Sequence, residues 1–135
     1  MAGRSVFYAD PALAWTEKIV RVANAAVAEG APVEWHTDGI QVVECGTSTP
    51  VDQVIGIAAT TAAAGEQVEV VIRGTTLALC EGGTVDVAAG DGLIVSAAAA
   101  GEFQSGGAFA AGDRHIAIGA NTTATATLIL VSINY

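Results

Sequence analysis

The feature that most constrains the fold is an alternation of apolar and polar residues with a period of two. Within residues 67–73, the side chains of Val68, Val70 and Ile72 fall on one face. Those of Glu69, Val71 and Arg73 fall on the other. Successive side chains of a β-strand point to opposite sides, so this pattern indicates a half-buried strand. The sequence therefore predicts an all-β protein.

Similar segments recur along the chain and are separated by Gly or by Asp-Gly. Residues 33–36 and 40–44 flank Thr37-Asp38-Gly39, and Asp-Gly is a strong hairpin signal because both positions accept a positive φ. Further strands are predicted over residues 54–59, 75–80, 93–97, 115–120 and 126–133. This spacing is typical of barrels and sandwiches, so we expect a small single-domain β-barrel or β-sandwich built from hairpins.

The chain also repeats itself at an offset of 61 residues. Residues 55–61 resemble residues 116–122, and the apolar positions of residues 68–72 fall on those of residues 129–133. Each copy predicts a strand, an Ala/Thr-rich turn and a longer strand. Two similar hairpins are therefore expected around one core.

A second recurring element is Ala-Ala-Gly followed by an acidic residue. It occurs at residues 63–66, 88–91, 99–102 and 110–113. Gly takes the left-handed conformation easily, and the acid can cap the turn before a new strand begins. These four segments are predicted to be structural turns.

The N-terminal region is ambiguous between helix and strand over residues 11–29. Its Ala-rich part favours a helix, whereas the β-branched run at Ile19 and Val20 favours a strand over residues 17–23, which we prefer. Residues 1–16 are expected to form an N-terminal arm and residues 17–135 the β domain.

The arm carries Arg4, Phe7, Tyr8 and Trp15 at no clean period. Aromatic anchors on a segment too short to build its own core suit docking on another protein. The alternative is that the arm folds back onto its own domain. The sequence leaves both open.

Charge excludes several classes of partner. Five basic residues stand against 14 acidic ones, giving a net charge of −9, and the basic residues form no cluster. Binding to nucleic acid or to an anionic membrane is therefore not expected. The first ten residues lack the apolar run of a secretory signal, and residues 115–135, although uncharged, carry too many Thr and Asn residues for a spanning helix.

The sequence lacks the common catalytic motifs GxSxG, GxGxxG, HExxH and the phosphate-binding Walker loop. Folding could bring Cys45 to His36 or Cys80 to His115, but no orienting group is recognisable, so no enzyme is predicted. The carboxylates are spread singly, and no metal site or cofactor is expected. Two buried free thiols are favoured over a disulfide.

Seven short motifs follow one another over most of the chain. They are residues 29–33 (Glu-Gly-Ala-Pro-Val), 38–40 (Asp-Gly-Ile), 54–58 (Val-Ile-Gly-Ile-Ala), 62–70 (Ala-Ala-Ala-Gly-Glu-Gln-Val-Glu-Val), 73–74 (Arg-Gly), 87–91 (Val-Ala-Ala-Gly-Asp) and 116–119 (Ile-Ala-Ile-Gly). In this order they resemble the small capsid decoration proteins, also called cement or head-stabilising proteins, of tailed bacteriophages. The first thirty residues depart from the usual short start of that family.

The resemblance implies a structural protein that binds the outer surface of the expanded phage head. It implies a homotrimer at three-fold and quasi-three-fold sites that bridges subunits of the major capsid protein, made in the host cytoplasm and carried on the virion. The family has no catalytic residues to transfer. On this reading Phe7, Tyr8 and Trp15 anchor the arm to the shell, and Arg4 pairs with a capsid carboxylate.

The main alternative is a carbohydrate- or receptor-binding β-module on a virion surface. Such sites need an exposed aromatic side chain with polar neighbours. Trp35, which lies between Glu34 and His36, is the candidate. A core position for Trp35, facing Val33 and Ile40, is the favoured expectation.

Overall fold

The computed structural model describes residues 16–82 and 86–134. The all-β prediction is confirmed. The strands are β1 (Glu17–Val22), β2 (Pro32–Trp35), β3 (Val42–Glu44), β4 (Gly56–Ala58), β5 (Gln67–Cys80), β6 (Asp91–Val95), β7 (Phe103–Ala108), β8 (His115–Ala117) and β9 (Thr127–Ile133). The helical structure among the described residues is a single 3-10 turn, Val51–Gln53.

The C-terminal half of β5 belongs to a closed five-stranded barrel. It pairs antiparallel with β9, β9 pairs with β8, β8 with β6 and β6 with β7. The ring closes where β7 meets β5 through the parallel pair Phe103–Cys80. We call this ring the second barrel.

The N-terminal half of β5 takes part in a matching arrangement, the first barrel. It pairs antiparallel with β1 and β4, β4 pairs with β2, and β2 pairs with β3. A parallel bridge between Ala23 and Val42 closes this ring, as the Phe103–Cys80 pair closes the other. The chain thus folds one strand order twice, and β5 is the last strand of the first barrel and the first strand of the second.

The pairing registers of the two barrels correspond position by position. Each cross-strand pair of the first barrel has an equivalent pair in the second. Val20–Glu69 corresponds to Leu77–Leu130, Val22–Gln67 to Leu79–Leu128, Val27–Ala62 to Val87–Asn121, and Ala23–Val42 to Cys80–Phe103. The N–H of Gly30 donates to the carbonyl of Ala58 at 2.7 Å, as that of Gly90 does to Ala117 at 2.7 Å. The predicted internal repeat is therefore real and extends over whole barrels.

The predicted offset of 61 holds for β5 against β9 but is wrong for β4 against β8. The pairings of β4 and β8 make Ile57 equivalent to Ile116, an offset of 59. The reason is that the segment from Ala117 to Leu128 is two residues longer than the equivalent segment from Ala58 to Gln67. The sequence likeness of Ile57 to Ile118 is therefore out of register.

Two cores form where one was expected. The first barrel is filled mainly by small side chains, among them Ala23, Val33 and Val42. The second is built around Phe103, which stands where the first has Val42, and its core cluster also takes in Ile57 from the first barrel. The two barrels are therefore packed against each other through continuous buried apolar contact.

Three of the four predicted acid-capped turns are confirmed. Their glycines have φ near 90°, which non-Gly residues adopt at a cost. The glycines are Gly65 (85°), Gly90 (90°) and Gly112 (97°). In each, the acid accepts a hydrogen bond from the N–H of the first Ala: Glu66 at 2.6 Å, Asp91 at 2.9 Å and Asp113 at 2.8 Å. In the fourth, the Ser96 hydroxyl accepts from the N–H of Ala99 at 3.1 Å instead.

Other local predictions have mixed outcomes. β1 confirms the strand preferred for residues 17–23, and the antiparallel pairing of β2 with β3 confirms the Asp-Gly hairpin. Two separate strands were expected on either side of Gly74, but β5 runs through it, with Gly74 at a φ of 103°. β7 was not predicted at all.

Candidate functional site

The residues predicted to contact the shell, Arg4, Phe7, Tyr8 and Trp15, lie outside the described residues. The described chain begins at Thr16, whose hydroxyl donates to the carbonyl of Thr75 at 3.3 Å. Within the described ranges, the candidate site is a groove on the first barrel.

Trp35 lies at the surface, so the expectation of a core tryptophan is wrong. Side-chain alternation along β2 puts Trp35 on the same face as Val33. Trp35 is the last residue of β2, however, and the core cluster of the first barrel includes Val33 but not Trp35. Its side chain is 41% exposed. The guanidinium carbon of Arg21 lies 5.5 Å from the centroid of the Trp35 ring, which is cation–π distance.

Beside Trp35 lies an open groove of about 430 Å³. Its apolar walls come from Ile19 on β1, Ile72 on β5 and Ile55 just before β4. These three side chains pack against the first-barrel core with their inner surfaces, so the groove is built on rigid strands. We call it the Trp35 groove.

Two of the four arginines of this acidic chain line the Trp35 groove, and a third lies on Trp35 at its edge. Arg21 stacks on Trp35, while Arg73 and Arg114 line the groove. Arg73 faces the carboxylate of Glu17 at 3.7 Å, and Nη1 of Arg114 donates to the carbonyl of Asp52 at 3.1 Å. The Arg73–Glu17 pair is more than half exposed, and such pairs contribute under about 1 kcal/mol, so a ligand carboxylate can displace Glu17.

Tryptophan and arginine, the residue types that contribute most to binding energy at protein interfaces, lie here beside the apolar walls formed by the three isoleucines. Chemically the groove suits an apolar segment that carries a carboxylate, or a sugar ring that packs against the tryptophan. Sequence reasoning singled out Trp35 but missed the arginines. The alternation of apolar and polar residues in β1 and β5 is a sequence signal that includes Ile19 and Ile72. No sequence signal predicts that Arg114 lies at the Trp35 groove.

The cysteines and the second histidine are set for packing rather than for nucleophilic chemistry. Cys45 and Cys80 are both buried free thiols, as predicted. Burial raises the pKa of each thiol to about 12, with smaller contributions from nearby carboxylates. A thiol is a weak nucleophile until it ionises, so both are inert near neutral pH. Burial lowers the pKa of His115 to about 4, with the charge of Arg114 adding to the effect.

The carboxylates of Glu44, Glu81 and Glu102 lie close enough for their charges to interact. Burial and the negative charges of Glu81 and Glu44 raise the pKa of Glu102. Glu81 accepts a hydrogen bond from the buried Ser96 hydroxyl at 2.7 Å. Across residues 16–82 and 86–134, no group of three or more His, Cys, Asp or Glu side chains is arranged to hold a metal ion.

In the same described ranges, no helix has the length and apolar character needed to cross a membrane.

No family model matches the chain, and no curated protein matches it. A solved structure does: the head fiber gp8.5 N base of bacteriophage phi29, with a TM-score of 0.59 at 15% sequence identity. The match covers 88% of this chain and 94% of that one. The chain thus shares its fold, over nearly its whole length, with the base of a phage head fiber.

Proposed function

We propose that this chain is a structural protein of a bacteriophage head. It binds the outer surface of the expanded shell as a homotrimer at three-fold and quasi-three-fold sites and stabilises the shell by bridging subunits of the major capsid protein. In this proposal it is made in the host cytoplasm and ends on the virion, with no catalytic activity and no cofactor.

The observation that carries the proposal is the fold likeness to the phi29 head fiber base over nearly the full length of both chains. The ordered motifs of residues 29–119, which resemble phage decoration proteins, point to the same kind of particle by a separate route. One support rests on the backbone fold and the other on the order of short sequence motifs.

Shell stabilisation follows from mass action. A protein that binds the expanded lattice but not the unexpanded one favours the expanded state by RT ln(1 + [L]/Kd) per site, about 2.7 kcal/mol at a concentration 100 times Kd. Three copies on one local three-fold axis engage three equivalent subunit edges at once. Individually modest contacts then gain avidity.

Two surfaces are proposed to contact the shell. Residues 1–16 act as an arm in which Phe7, Tyr8 and Trp15 anchor and Arg4 pairs with a capsid carboxylate, ahead of the β domain of residues 17–135. The Trp35 groove supplies the second contact, since its arginines and apolar walls suit an apolar capsid segment with an acidic residue.

Co-sedimentation of the purified chain with expanded heads, and with unexpanded procapsids as control, tests the proposal. We expect saturable binding to expanded heads alone, in multiples of three per local three-fold site. Deleting residues 1–16 tests the arm, and Trp35→Ala tests the groove, each by a weaker apparent Kd. Equal or absent binding to both particles would overturn the head-binding function.

One observation favours a second candidate function, a carbohydrate-binding module on a virion surface. Trp35 is exposed and lies near Asp52, Gln53 and Glu34, which provide the polar partners that sugar hydroxyls need. A glycan array with the wild-type chain and a Trp35→Ala control distinguishes the two. Binding that Trp35→Ala abolishes, without any binding to heads, would favour the sugar function.

A further inference from the structure

The outer surface of the second barrel carries an aliphatic face on three neighbouring strands. Cross-strand pairs place Leu77 opposite Leu130 and Leu79 opposite Leu128 on β5 and β9. The next strand, β8, adds Ile116, and Ile118 follows directly after β8. The N–H of Ile118 donates to the carbonyl of Leu130 at 2.8 Å. We call these six side chains, Leu77, Leu79, Ile116, Ile118, Leu128 and Leu130, the outer aliphatic face.

These side chains point away from the barrel core. Along β9 the residues alternate, with Ile129 and Val131 buried and Leu128 and Leu130 only half-buried. Leu77 is 43% exposed and Ile118 is 48% exposed. β9 is thus apolar on both sides, although its own barrel covers one side only.

The first barrel shows that the fold itself does not require this face. The positions equivalent to Leu128 and Leu130 on the middle strand are occupied by Gln67 and Glu69, which pair with β1 in the corresponding register. A half-buried strand normally carries polar residues on its solvent side, as β5 does there. Leu128 is explained within the chain, because its Cδ2 lies against Gly30 of the first barrel, to whose carbonyl the N–H of Leu79 donates at 2.8 Å. Leu130 and its cross-strand partner Leu77 stay at the surface, and leucine at these two positions therefore indicates contact with something outside the chain.

A cleft lies at one end of the face. Leu77 and Leu130 line a space of about 200 Å³ together with Ala58, Ala59 and Val71 from the first barrel. Lys18 and Glu29, of opposite charge, line it as well. An apolar side chain from a neighbouring molecule can insert into this cleft between the two barrels. The outer aliphatic face therefore offers a recess as well as an apolar surface.

Resting on the proposed homotrimer, we infer that the outer aliphatic face is the surface through which copies of this chain contact one another. The charge of the chain supports a second copy as the occupant. Copies that each carry −9 repel one another, so they associate best through a surface that brings no carboxylates together. The outer aliphatic face meets this requirement, and residues 115–135, which supply most of it, contain no charged residue.

The mass of the full-length chain, measured by sedimentation equilibrium, tests the inference. Wild type is expected at three times the 13.4 kDa chain mass, and Leu77→Glu and Leu130→Glu at close to a single chain mass. Val20→Glu is the matched control, because Val20 holds the position equivalent to Leu77 in the first barrel and is 49% exposed. It is expected to keep the wild-type mass.

Circular dichroism of each variant shows whether it is folded. If a glutamate variant does not fold, Leu77→Gln replaces it, because glutamine adds no charge at this 43% exposed position. Any one of three results would overturn the inference. They are a monomeric wild type, an unchanged mass for Leu77→Glu and Leu130→Glu, and dissociation of Val20→Glu to the same extent as those two variants. The head-binding part of the proposed function fails separately: head binding by a monomeric wild type would keep that part while removing the homotrimer, and a trimer that binds no head would remove head binding itself.

Discussion

His115 packs against Phe103 inside the second barrel, with ring centroids 5.0 Å apart and planes inclined at 41°. Phe103 also closes that barrel through its pairing with Cys80. The imidazole is therefore an element of the core at the point where the ring of strands is completed.

The position of His115 makes stability depend on pH. Burial lowers its pKa to about 4 from an ordinary value of 6.5, so the unfolded chain takes up a proton at a higher pH than the folded one. The folded state is unaffected above pH 6.5 and loses stability as the pH falls below it. Between pH 7 and pH 5 we expect a loss of about 2 kcal/mol in the free energy of unfolding.

Urea unfolding at both pH values measures this loss, and a His115→Phe variant is the control because it has no imidazole to titrate. Its unfolding free energy should change much less over the same interval. An equal pH dependence in wild type and variant would show that other groups cause it.

Cys45 and Cys80 are expected to be unreactive in the folded protein. Burial keeps their pKa values near 12, and a buried neutral thiol is a poor nucleophile. Ellman's reagent at pH 8 should label neither thiol over minutes in buffer and both in guanidinium chloride. Rapid labelling of one thiol in buffer would place that cysteine at the surface, and failure of both to react in denaturant would reveal a disulfide.

Replacing Gly56 by Ala is expected to destabilise the protein strongly. A Cβ there would collide with the carbonyl oxygen of Val71 and lie 2.6 Å from Cγ1 of Val70, between two paired strands. Overpacking of this kind costs about 1–3 kcal/mol. Gly46→Ala is the matched control, since its Cβ would meet nothing nearer than the Thr49 hydroxyl at 3.9 Å. Equal melting temperatures for the two variants would contradict this packing.

Neutralising Glu102 is expected to stabilise the protein. Burial and the charges of Glu81 and Glu44 raise its pKa, so the ionised form is disfavoured in the folded state and stability increases as the pH falls through that pKa. Glu102→Gln should therefore raise the melting temperature at pH 7, with a gain in stability of under about 1 kcal/mol because solvent screens this partly exposed group.

Glu66→Gln provides the contrast. The Glu66 carboxylate accepts the N–H of Ala63 at 2.6 Å, so losing its charge should lower the melting temperature. A fall for Glu102→Gln as well would mean that its charge is favourable in the folded protein.

Much of the fold was accessible from the sequence because strands with one buried face must alternate. The pattern around Val68 and Val70 predicted the N-terminal half of β5, and Asp38-Gly39 predicted the first hairpin. β7 was missed because Gln104-Ser105-Gly106-Gly107 has low strand propensity, and its extended conformation comes from pairing with β6. Tertiary pairing of that kind leaves no local trace in the sequence.

The site was less accessible than the fold. Trp35 was placed in the core because it shares a face with Val33, and only the position where β2 ends shows that it lies outside the core. Arg21 and Arg73 lie on the paired strands β1 and β5 of the first barrel, whereas Arg114 precedes β8 and reaches the groove through the packing of the two barrels. Local periodicity cannot contain that information.

β5 runs without interruption from one barrel into the other, bending at Gly74, where φ is 103°. A load applied to either barrel is therefore transmitted along a covalent backbone and is resisted by strands hydrogen-bonded on both sides of the bend, β1 and β4 before it and β9 after it. Pulling along β5 loads these ladders in shear, with many hydrogen bonds strained together instead of one after another. The pair of barrels is thus built as a single mechanical element, able to carry tension between whatever is fixed at its two ends.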